Sequence, residues 1–108
     1  MELQIDSHYT RQDQRVHIYS QAFLNNLNAV RSRCKAQTKI CAVIKANGYG
    51  HGIREVVHIL KHQQIDFFAV ANIYEAAYIA DITEDTKILI LEPVHIGWSS
   101  DAVEFCAE

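Results

Sequence analysis

The sequence predicts an α/β fold in which short parallel strands alternate with helices. Three apolar runs carry this prediction, at residues 40–44, 67–71 and 88–91. Each run is nearly continuous rather than alternating, which is typical of strands covered on both faces, as in a parallel sheet. Amphipathic stretches separate the runs, so strands and helices follow one another at intervals of roughly 20 to 30 residues. This order indicates a series of βα units.

Composition limits the chain to one modest core and excludes several function classes. The 108 residues are 49% hydrophobic and 21% charged, as in an ordinary globular protein. A net charge of −3 argues against a nucleic-acid binder, because no basic stripe could neutralise phosphates. The chain shows neither a signal peptide nor a segment that could span a bilayer, so we expect no membrane partner. The three cysteines form no CxxC pair and indicate free thiols in a reducing cytoplasm.

The segment before the first apolar run predicts a short strand and then a helix. Arg15 to Tyr19 are a possible strand, and Ser20 can cap the helix that follows. One face of this helix would carry Phe23, Leu27, Val30 and Cys34.

The two stretches between the apolar runs each predict an amphipathic helix with apolar residues at i, i+3, i+4 and i+7. In the first stretch these residues are Ile53, Val56, Val57 and Leu60, and in the second they are Ile73, Ala76, Ala77 and Ala80. Asn72 followed by Glu75 resembles a capping box at the start of the second helix.

The end of the sequence predicts a loop and a further helix. Pro93 and Gly97 mark the loop, and residues 100–105 begin the helix. Nothing near Glu108 resembles a helix C-cap, so we expect the sequence to be cut within this helix. No repeat or linker indicates a domain boundary within residues 1–108.

Lys45 is the residue that most directly suggests chemistry. It follows the first apolar run and precedes three glycines, Gly48, Gly50 and Gly52, a pattern that predicts a buried strand ending at a tight turn. Packing of its stem against apolar neighbours would favour the neutral amine, which can attack a carbonyl to form a Schiff base. The alternative is a solvated lysine at a strand end.

Other candidate residues carry weaker signals. The three glycines do not match the GxGxxG pattern of dinucleotide sites, and no P-loop is present. His58 and His62 lie one helical turn apart, but no third zinc ligand is evident, so we interpret them as a solvated face and predict no metal site. We interpret His51 as a turn residue or as a hydrogen-bonding residue behind the site rather than as the catalytic base, and Cys41 as a core residue. Trp98 and His95 follow the third run, where either substrate contact or a loop anchor is consistent with the pattern.

Residues 42–52, with the sequence Ala-Val-Ile-Lys-Ala-Asn-Gly-Tyr-Gly-His-Gly, resemble the AVxKANxYGHG segment of the alanine racemase family. Residues 67–76 are similar to the second barrel strand and helix start of that family, and residues 88–91 resemble its third strand. The resemblance covers nearly the whole chain but only the first part of the family's sequence.

The resemblance implies a fold, a cofactor and two site residues. The fold would be a (β/α)8 TIM-type barrel, of which residues 1–108 would supply the first three βα units, while the rest of the barrel and a mostly β C-terminal domain would follow. Lys45 would bind pyridoxal 5′-phosphate as a Schiff base and act as one of two acid/base groups. Tyr49 would place its hydroxyl on the cofactor phosphate, and the glycines would allow a tight turn beneath it.

The implied activity is the interconversion of L-alanine and D-alanine by a cytoplasmic homodimer that supplies D-alanine for peptidoglycan. The opposite-face tyrosine and the two arginines of the family would lie in later sequence, so we expect no racemase activity from these 108 residues alone. Two alternatives remain open. One is another barrel-type pyridoxal-phosphate enzyme, a serine racemase or an amino-acid decarboxylase, although decarboxylases lack the continuation seen from Tyr49 to Gly52. The other is a non-catalytic protein that binds the cofactor.

Overall fold

The computed structural model describes residues 16–93 and 99–107. Three strands form one parallel sheet in the order β1-β2-β3, with β1 at Cys41–Val43, β2 at Phe67–Val70 and β3 at Lys87–Ile90. Cys41 aligns with Phe67 and Phe67 with Lys87, so the three strands start at the same edge of the sheet. The strands match the three apolar runs to within one residue, and the predicted consecutive parallel strands are confirmed.

Helical segments precede, connect and follow these strands. They are α1 at Ser20–Ser32, α2 at Lys45–Tyr49, α3 at Ile53–Leu60, α4 at Ile73–Ile79 and α5 at Ser100–Ala107. The single turn α2 and the longer α3 connect β1 to β2, and α4 connects β2 to β3, as the βαβ unit requires. Across residues 16–93 and 99–107, no helix combines the length and the apolar character needed to cross a membrane.

One face of the sheet lies under the helices. Side chains alternate between the two faces along a strand. Ile44, Phe68 and Val70 belong to the hydrophobic core on the covered face, and Ile88 and Ile90 pack against this core. The four core residues of α3, namely Ile53, Val56, Val57 and Leu60, are all buried, as predicted. Each such side chain contributes roughly 1.5–3 kcal/mol when fully buried.

The other face of the sheet, here called the open face, is exposed along its outer strands in the part of the chain that the structure describes, while Ala69 of the central strand is buried. Its residues Val43, Leu89 and Leu91 are 43%, 46% and 48% exposed. Cys41 begins β1 on the same face and is exposed, so its interpretation as a core residue is wrong. The expectation that both faces are covered is also wrong for these residues, because the described helices form a layer on one side only.

The start of α4 follows the predicted cap. Asn72 occupies the N-cap position, and its Oδ1 accepts a hydrogen bond from the backbone N–H of Glu75 at 3.0 Å. Glu75 Oε1 accepts from the N–H of Ala71 at 3.3 Å instead of from Asn72. The reciprocal half of the capping box is therefore displaced by one residue.

The buried face of α4 differs from the predicted one. Ala76 and Ile79 are buried, whereas Ala77 and Ala80 are exposed. An isoleucine side chain removes more apolar area from water than an alanine methyl group, so the helix is rotated to bury Ile79.

The N-terminal predictions are partly wrong. Residues 16–19 form no strand, because no neighbouring strand in the described part of the chain pairs with their backbone; Arg15 lies outside that part. Ser20 is the first residue of α1, with Tyr19 at the N-cap position, so Ser20 does not cap the helix. Phe23 and Leu27 pack against the core as predicted. Val30 is 53% exposed, and Cys34 lies beyond the end of α1 and is exposed.

The predicted last helix is present. Ser99 Oγ accepts a hydrogen bond from the N–H of Ala102 at 3.2 Å, and Phe105 packs against the core. Pro93 lies in the preceding loop, while Gly97, His95 and Trp98 fall outside the described residues. The predicted free thiols are confirmed, since Cys34, Cys41 and Cys106 are all free and exposed.

Candidate active site

The carboxyl ends of the three strands meet at one edge of the sheet, which we call the carboxyl edge. The parallel hydrogen-bond ladder continues past the strands there, with the N–H of Ile44 donating to Ala69 O at 2.8 Å and the N–H of Leu91 to Val70 O at 2.9 Å. Lys45 follows β1 at this edge, and Asn72 follows β2. In parallel α/β folds this is the edge at which binding and catalytic groups gather.

Lys45 lies at the carboxyl edge as the sequence predicts, but it is not packed. Its side chain is exposed in the described part of the chain. The expected burial of its stem among apolar neighbours is therefore not seen in the described residues. The accessible amine is available to a ligand.

The turn that follows Lys45 has a strained backbone. Ala46, Asn47, Gly48 and Tyr49 have φ values of 53°, 54°, 66° and 55°, all in the left-handed region. L-residues other than glycine adopt this region at a cost of about 1–2 kcal/mol each, with Asn the most tolerant. Strain of this kind is concentrated at functional sites, where the surrounding structure holds it.

Hydrogen bonds hold this turn against α3. The N–H of Gly52 donates to Asn47 O at 2.9 Å, and the N–H of Ile53, the first residue of α3, donates to Asn47 Oδ1 at 2.9 Å. His51 Nδ1 lies 3.1 Å from Gly48 O and donates to it. The ring of His51 also contacts Phe23 of α1 edge-on, with ring centroids 5.7 Å apart. The interpretation of His51 as a turn residue fits these contacts.

Two glycines of the turn are required for different reasons. Gly48 is buried with φ +66°, and a Cβ there would lie 3.3 Å from Val56 Cγ2, so glycine permits the turn to approach α3 closely. Gly52 has φ 95° and ψ 108°, a conformation that L side chains rarely adopt.

Tyr49 ends the same turn and is 58% exposed. Its phenol and the Lys45 amine are thus two accessible polar groups carried by one five-residue segment. The structure places both predicted site residues on this segment, and their assignment to a cofactor remains a prediction.

Two further residues near this edge have properties that sequence reasoning did not predict. Asn47 was part of the motif, but its role in holding the turn becomes visible only through its hydrogen bonds with Gly52 and Ile53. Glu75 was identified as a capping residue, yet its Oε2 is buried without a hydrogen-bond partner in the described structure. No spacing rule in the sequence predicts that unpaired oxygen.

The ion pairs of the described residues lie in the helix layer. Arg54 of α3 binds Asp81 at 2.9 Å and lowers the pKa of that carboxyl below its ordinary value, chiefly through the hydrogen bond. Lys61 binds Glu84 at 2.8 Å and lowers the pKa of Glu84 in the same way. The first pair joins the start of α3, and the second the residue just after α3, to residues that follow α4, and neither pair involves Lys45 or Tyr49.

Two clefts formed by described residues lie away from Lys45. A cleft of about 570 Å³ lies between β3, α4 and α5, and another of about 330 Å³ is lined by His17, Phe23 and His51. His58 and His62 are exposed on and after α3. Within the described residues, no group of three or more His, Cys, Asp or Glu side chains is arranged to bind a metal ion.

Comparison with known proteins relates this edge and its motif to one family. The family model described as alanine racemase, N-terminal domain, matches residues 18–106. The biosynthetic alanine racemase of Pseudomonas aeruginosa is 48% identical over 64 residues, which are 59% of this chain and 18% of that protein. A serine/alanine racemase of Enterococcus gallinarum is 40% identical over 70 residues, or 65% of this chain and 10% of that protein.

A solved structure extends the similarity to the fold. The crystal structure of alanine racemase from E. faecalis has a TM-score of 0.68 and 28% identity, over 85% of this chain and 29% of that one. The predicted fold class, the first units of an α/β barrel, is thereby confirmed. The chain spans less than a third of the length of these relatives. Since the family model matches most of its residues, the chain belongs to the alanine racemase N-terminal domain family.

Proposed function

We propose that the protein containing this chain is a pyridoxal-phosphate-dependent alanine racemase, an isomerase that interconverts L-alanine and D-alanine. Residues 1–108 would form the N-terminal part of its cofactor-binding barrel. The observation that best supports this proposal is an exposed primary amine, that of Lys45, directly after β1 and on the same turn as the exposed Tyr49 hydroxyl. Barrel enzymes carry their active sites at this edge.

The groups present at the edge fit the chemistry of pyridoxal 5′-phosphate. Its aldehyde needs an accessible amine, and its phosphate needs hydrogen-bond donors. Lys45 and Tyr49 supply one of each. The apolar side chains of Val43, Leu89 and Leu91 on the open face provide a surface suited to a planar ring.

Each residue has a defined task in this proposal. Lys45 would bind the cofactor through Nζ and, once released by the incoming amino acid, would hold or move a proton at Nζ on one face of the α-carbon. Tyr49 would donate its hydroxyl hydrogen to a phosphate oxygen and thereby limit the motion of the ring. When bound, pyridoxal phosphate would supply an electron sink for the negative charge that develops at the α-carbon.

Inversion needs a second acid/base group on the opposite face of the α-carbon. We assign that group, and the residues that read the substrate carboxylate, to the rest of the protein, since this chain spans 18% of the Pseudomonas relative. We further propose that the remaining barrel and a β domain complete a cytoplasmic homodimer that supplies D-alanine for peptidoglycan.

Replacement of Lys45 by Ala in the full-length protein tests the proposal. Borohydride reduction with pyridoxal phosphate, followed by peptide mass mapping, is expected to find the cofactor on Lys45. Lys45→Ala is expected to abolish this product and to lower the racemisation rate by about 10³-fold or more, because both the anchor and one proton-transfer group are lost.

Lys87 offers a matched control for this experiment. It is also exposed, but it begins β3 at the opposite, amino edge of the sheet. Lys87→Ala should therefore leave trapping and racemisation unchanged. Recovery of the cofactor on a different amine of the unaltered protein, with Lys45 unmodified, would contradict the proposal.

A serine-preferring racemase is the second candidate, favoured by the name of the Enterococcus gallinarum relative, a serine/alanine racemase. Racemisation rates for alanine and serine, measured side by side, separate the two candidates. Carbon dioxide release from lysine would instead indicate a decarboxylase. Cofactor binding without exchange of the α-hydrogen in deuterium oxide would indicate a non-catalytic protein.

A further inference from the structure

The turn that carries Lys45 and Tyr49 does not fold from local preference. Ala46 and Tyr49 both have positive φ values, 53° and 55°, although neither residue type favours the left-handed region. The turn therefore needs contacts with another element that hold it in this conformation.

Asn47 supplies those contacts through both its backbone and its side chain. Asn47 O accepts from the N–H of Gly52, and Asn47 Oδ1 accepts from the N–H of Ile53, each at 2.9 Å. Gly52 at the N-cap position of α3 has no side chain that could accept this second hydrogen bond. Asn47 thus caps α3 from six residues earlier in the chain.

Helix α3 is a firm attachment for the turn. Ile53 is 2% exposed and Val57 is fully buried, so the helix start cannot shift without opening the core. Lys45 and Tyr49 lie two residues before and two residues after Asn47. Lys45 is also attached to the core through its neighbour Ile44, and Asn47 is the residue whose side chain connects the turn to the start of α3.

We propose that Asn47 is a positioning residue for the Lys45 amine, and that its Oδ1 to Ile53 N–H hydrogen bond is the feature that does the positioning. This inference rests on the proposed function of Lys45. Because Asn47 acts through the turn, the position requires an acceptor oxygen and not an amide as such, so aspartate should serve in its place.

Three variants of the full-length protein test this role. Asn47→Gly keeps a residue that adopts the left-handed region but removes the acceptor. Asn47→Asp keeps both properties. Gln64→Gly is the matched control, since Gln64 is exposed and also has a positive φ, 59°, but lies before β2 at the amino edge.

Two readouts apply to each variant. Hydrogen–deuterium exchange of the Ile53 amide in the cofactor-free protein reports the hydrogen bond itself. The rate of borohydride trapping of pyridoxal phosphate on Lys45, relative to Lys87 in the same sample, reports the placement of the amine. Asn47→Gly is expected to exchange the Ile53 amide about tenfold faster and to trap on Lys45 about tenfold more slowly. Asn47→Asp and Gln64→Gly are expected to match the parent.

The outcomes separate this inference from the proposed function. Absence of preferential trapping on Lys45 in the parent contradicts the proposed function before any variant is made. If the cofactor is trapped preferentially on Lys45 in the parent and equally so in folded Asn47→Gly, the positioning role is overturned. This holds even where the Ile53 amide of the variant exchanges faster. Should Asn47→Gly fail to fold, Asn47→Asp decides, because tenfold slower trapping in that folded variant also overturns the role.

Discussion

The turn after β1 and the helix layer beside it have opposite properties. In the turn, Lys45 and Tyr49 are exposed and the backbone has a run of positive φ values. In α3, which begins a few residues later, Ile53, Val56, Val57 and Leu60 are buried. The three left-handed residues other than glycine cost together about 3–6 kcal/mol, while burial of the four α3 side chains contributes about 6–12 kcal/mol.

The difference indicates how the site is held. Exposed polar groups cannot fix their own geometry, because water competes for every hydrogen bond they make. The adjacent buried layer provides the fixed frame, and the turn is attached to it at Gly48, Asn47 and Gly52. Changes in the two regions should therefore have different consequences, with the buried layer governing stability and the turn governing placement of the amine.

The largest stability effect is expected in the buried layer. Phe68 is fully buried on the covered face of β2, so Phe68→Ala should lower the free energy of unfolding by about 3–5 kcal/mol, measured by urea denaturation. Its neighbour Phe67 is half-buried on the open face, and Phe67→Ala should cost less than about 2 kcal/mol. Equal losses for the two variants would show that the open face is as well packed as the covered face.

A smaller effect is expected within the turn, where two glycines can be compared. Gly52→Ala forces an L-residue into φ 95° and ψ 108°, so it should cost about 2–3 kcal/mol, while the flexible Glu55 carboxylate can move away from the new Cβ. Gly50 has φ 86° and ψ −4°, with no atom within 4 Å of a Cβ built there, so Gly50→Ala should cost about 1 kcal/mol.

Thermal or urea unfolding of both glycine variants checks this order. The reverse order would show that the backbone conformation at position 52 does not constrain the turn. Lys45 trapping measured on the same samples should fall more for Gly52→Ala than for Gly50→Ala, since Gly52 also donates to Asn47 O.

Much of the covered layer was predictable from the sequence. Continuous apolar runs and 3.6-residue periodicity depend on burial, which is why β1 to β3 and the face of α3 agree with prediction. The buried face of α4 was less predictable. The alanines at the predicted helical spacing bury less apolar area than the one isoleucine that lies outside that spacing. The exposure of the open face was not predictable from the sequence. Whether Val43 or Leu89 is exposed depends on which elements pack on that face of the sheet, and the apolar run of the strand does not specify them.

The position of Lys45 was also predictable, but the conformation that carries it was not. A lysine between an apolar run and a group of glycines lies at the end of a strand for reasons of polarity alone. Left-handed φ values at Ala46 and Tyr49 contradict the preferences of those residues and arise from tertiary contacts with α3. The role of Asn47 follows only from those contacts.

The smallest expected effect comes from the ion pair on the outer surface of the helix layer. Arg54 lowers the pKa of Asp81 below its ordinary value of 3.8, so the folded state favours the ionised carboxylate. The resulting stabilisation is present above the unfolded-state pKa and is lost as the pH falls through the lower folded-state pKa. Unfolding free energies of the parent should therefore decrease from pH 5 toward about pH 2 more steeply than those of Asp81→Asn.

The difference in slope should be small, because the Asp81 side chain is 66% exposed and solvent screens the pair. About 1 M salt should remove most of it. Glu84, whose pKa Lys61 also lowers, remains in Asp81→Asn and keeps part of the acid dependence. Identical slopes for parent and variant at low salt would mean that the Arg54–Asp81 pair adds no measurable stability to the covered layer.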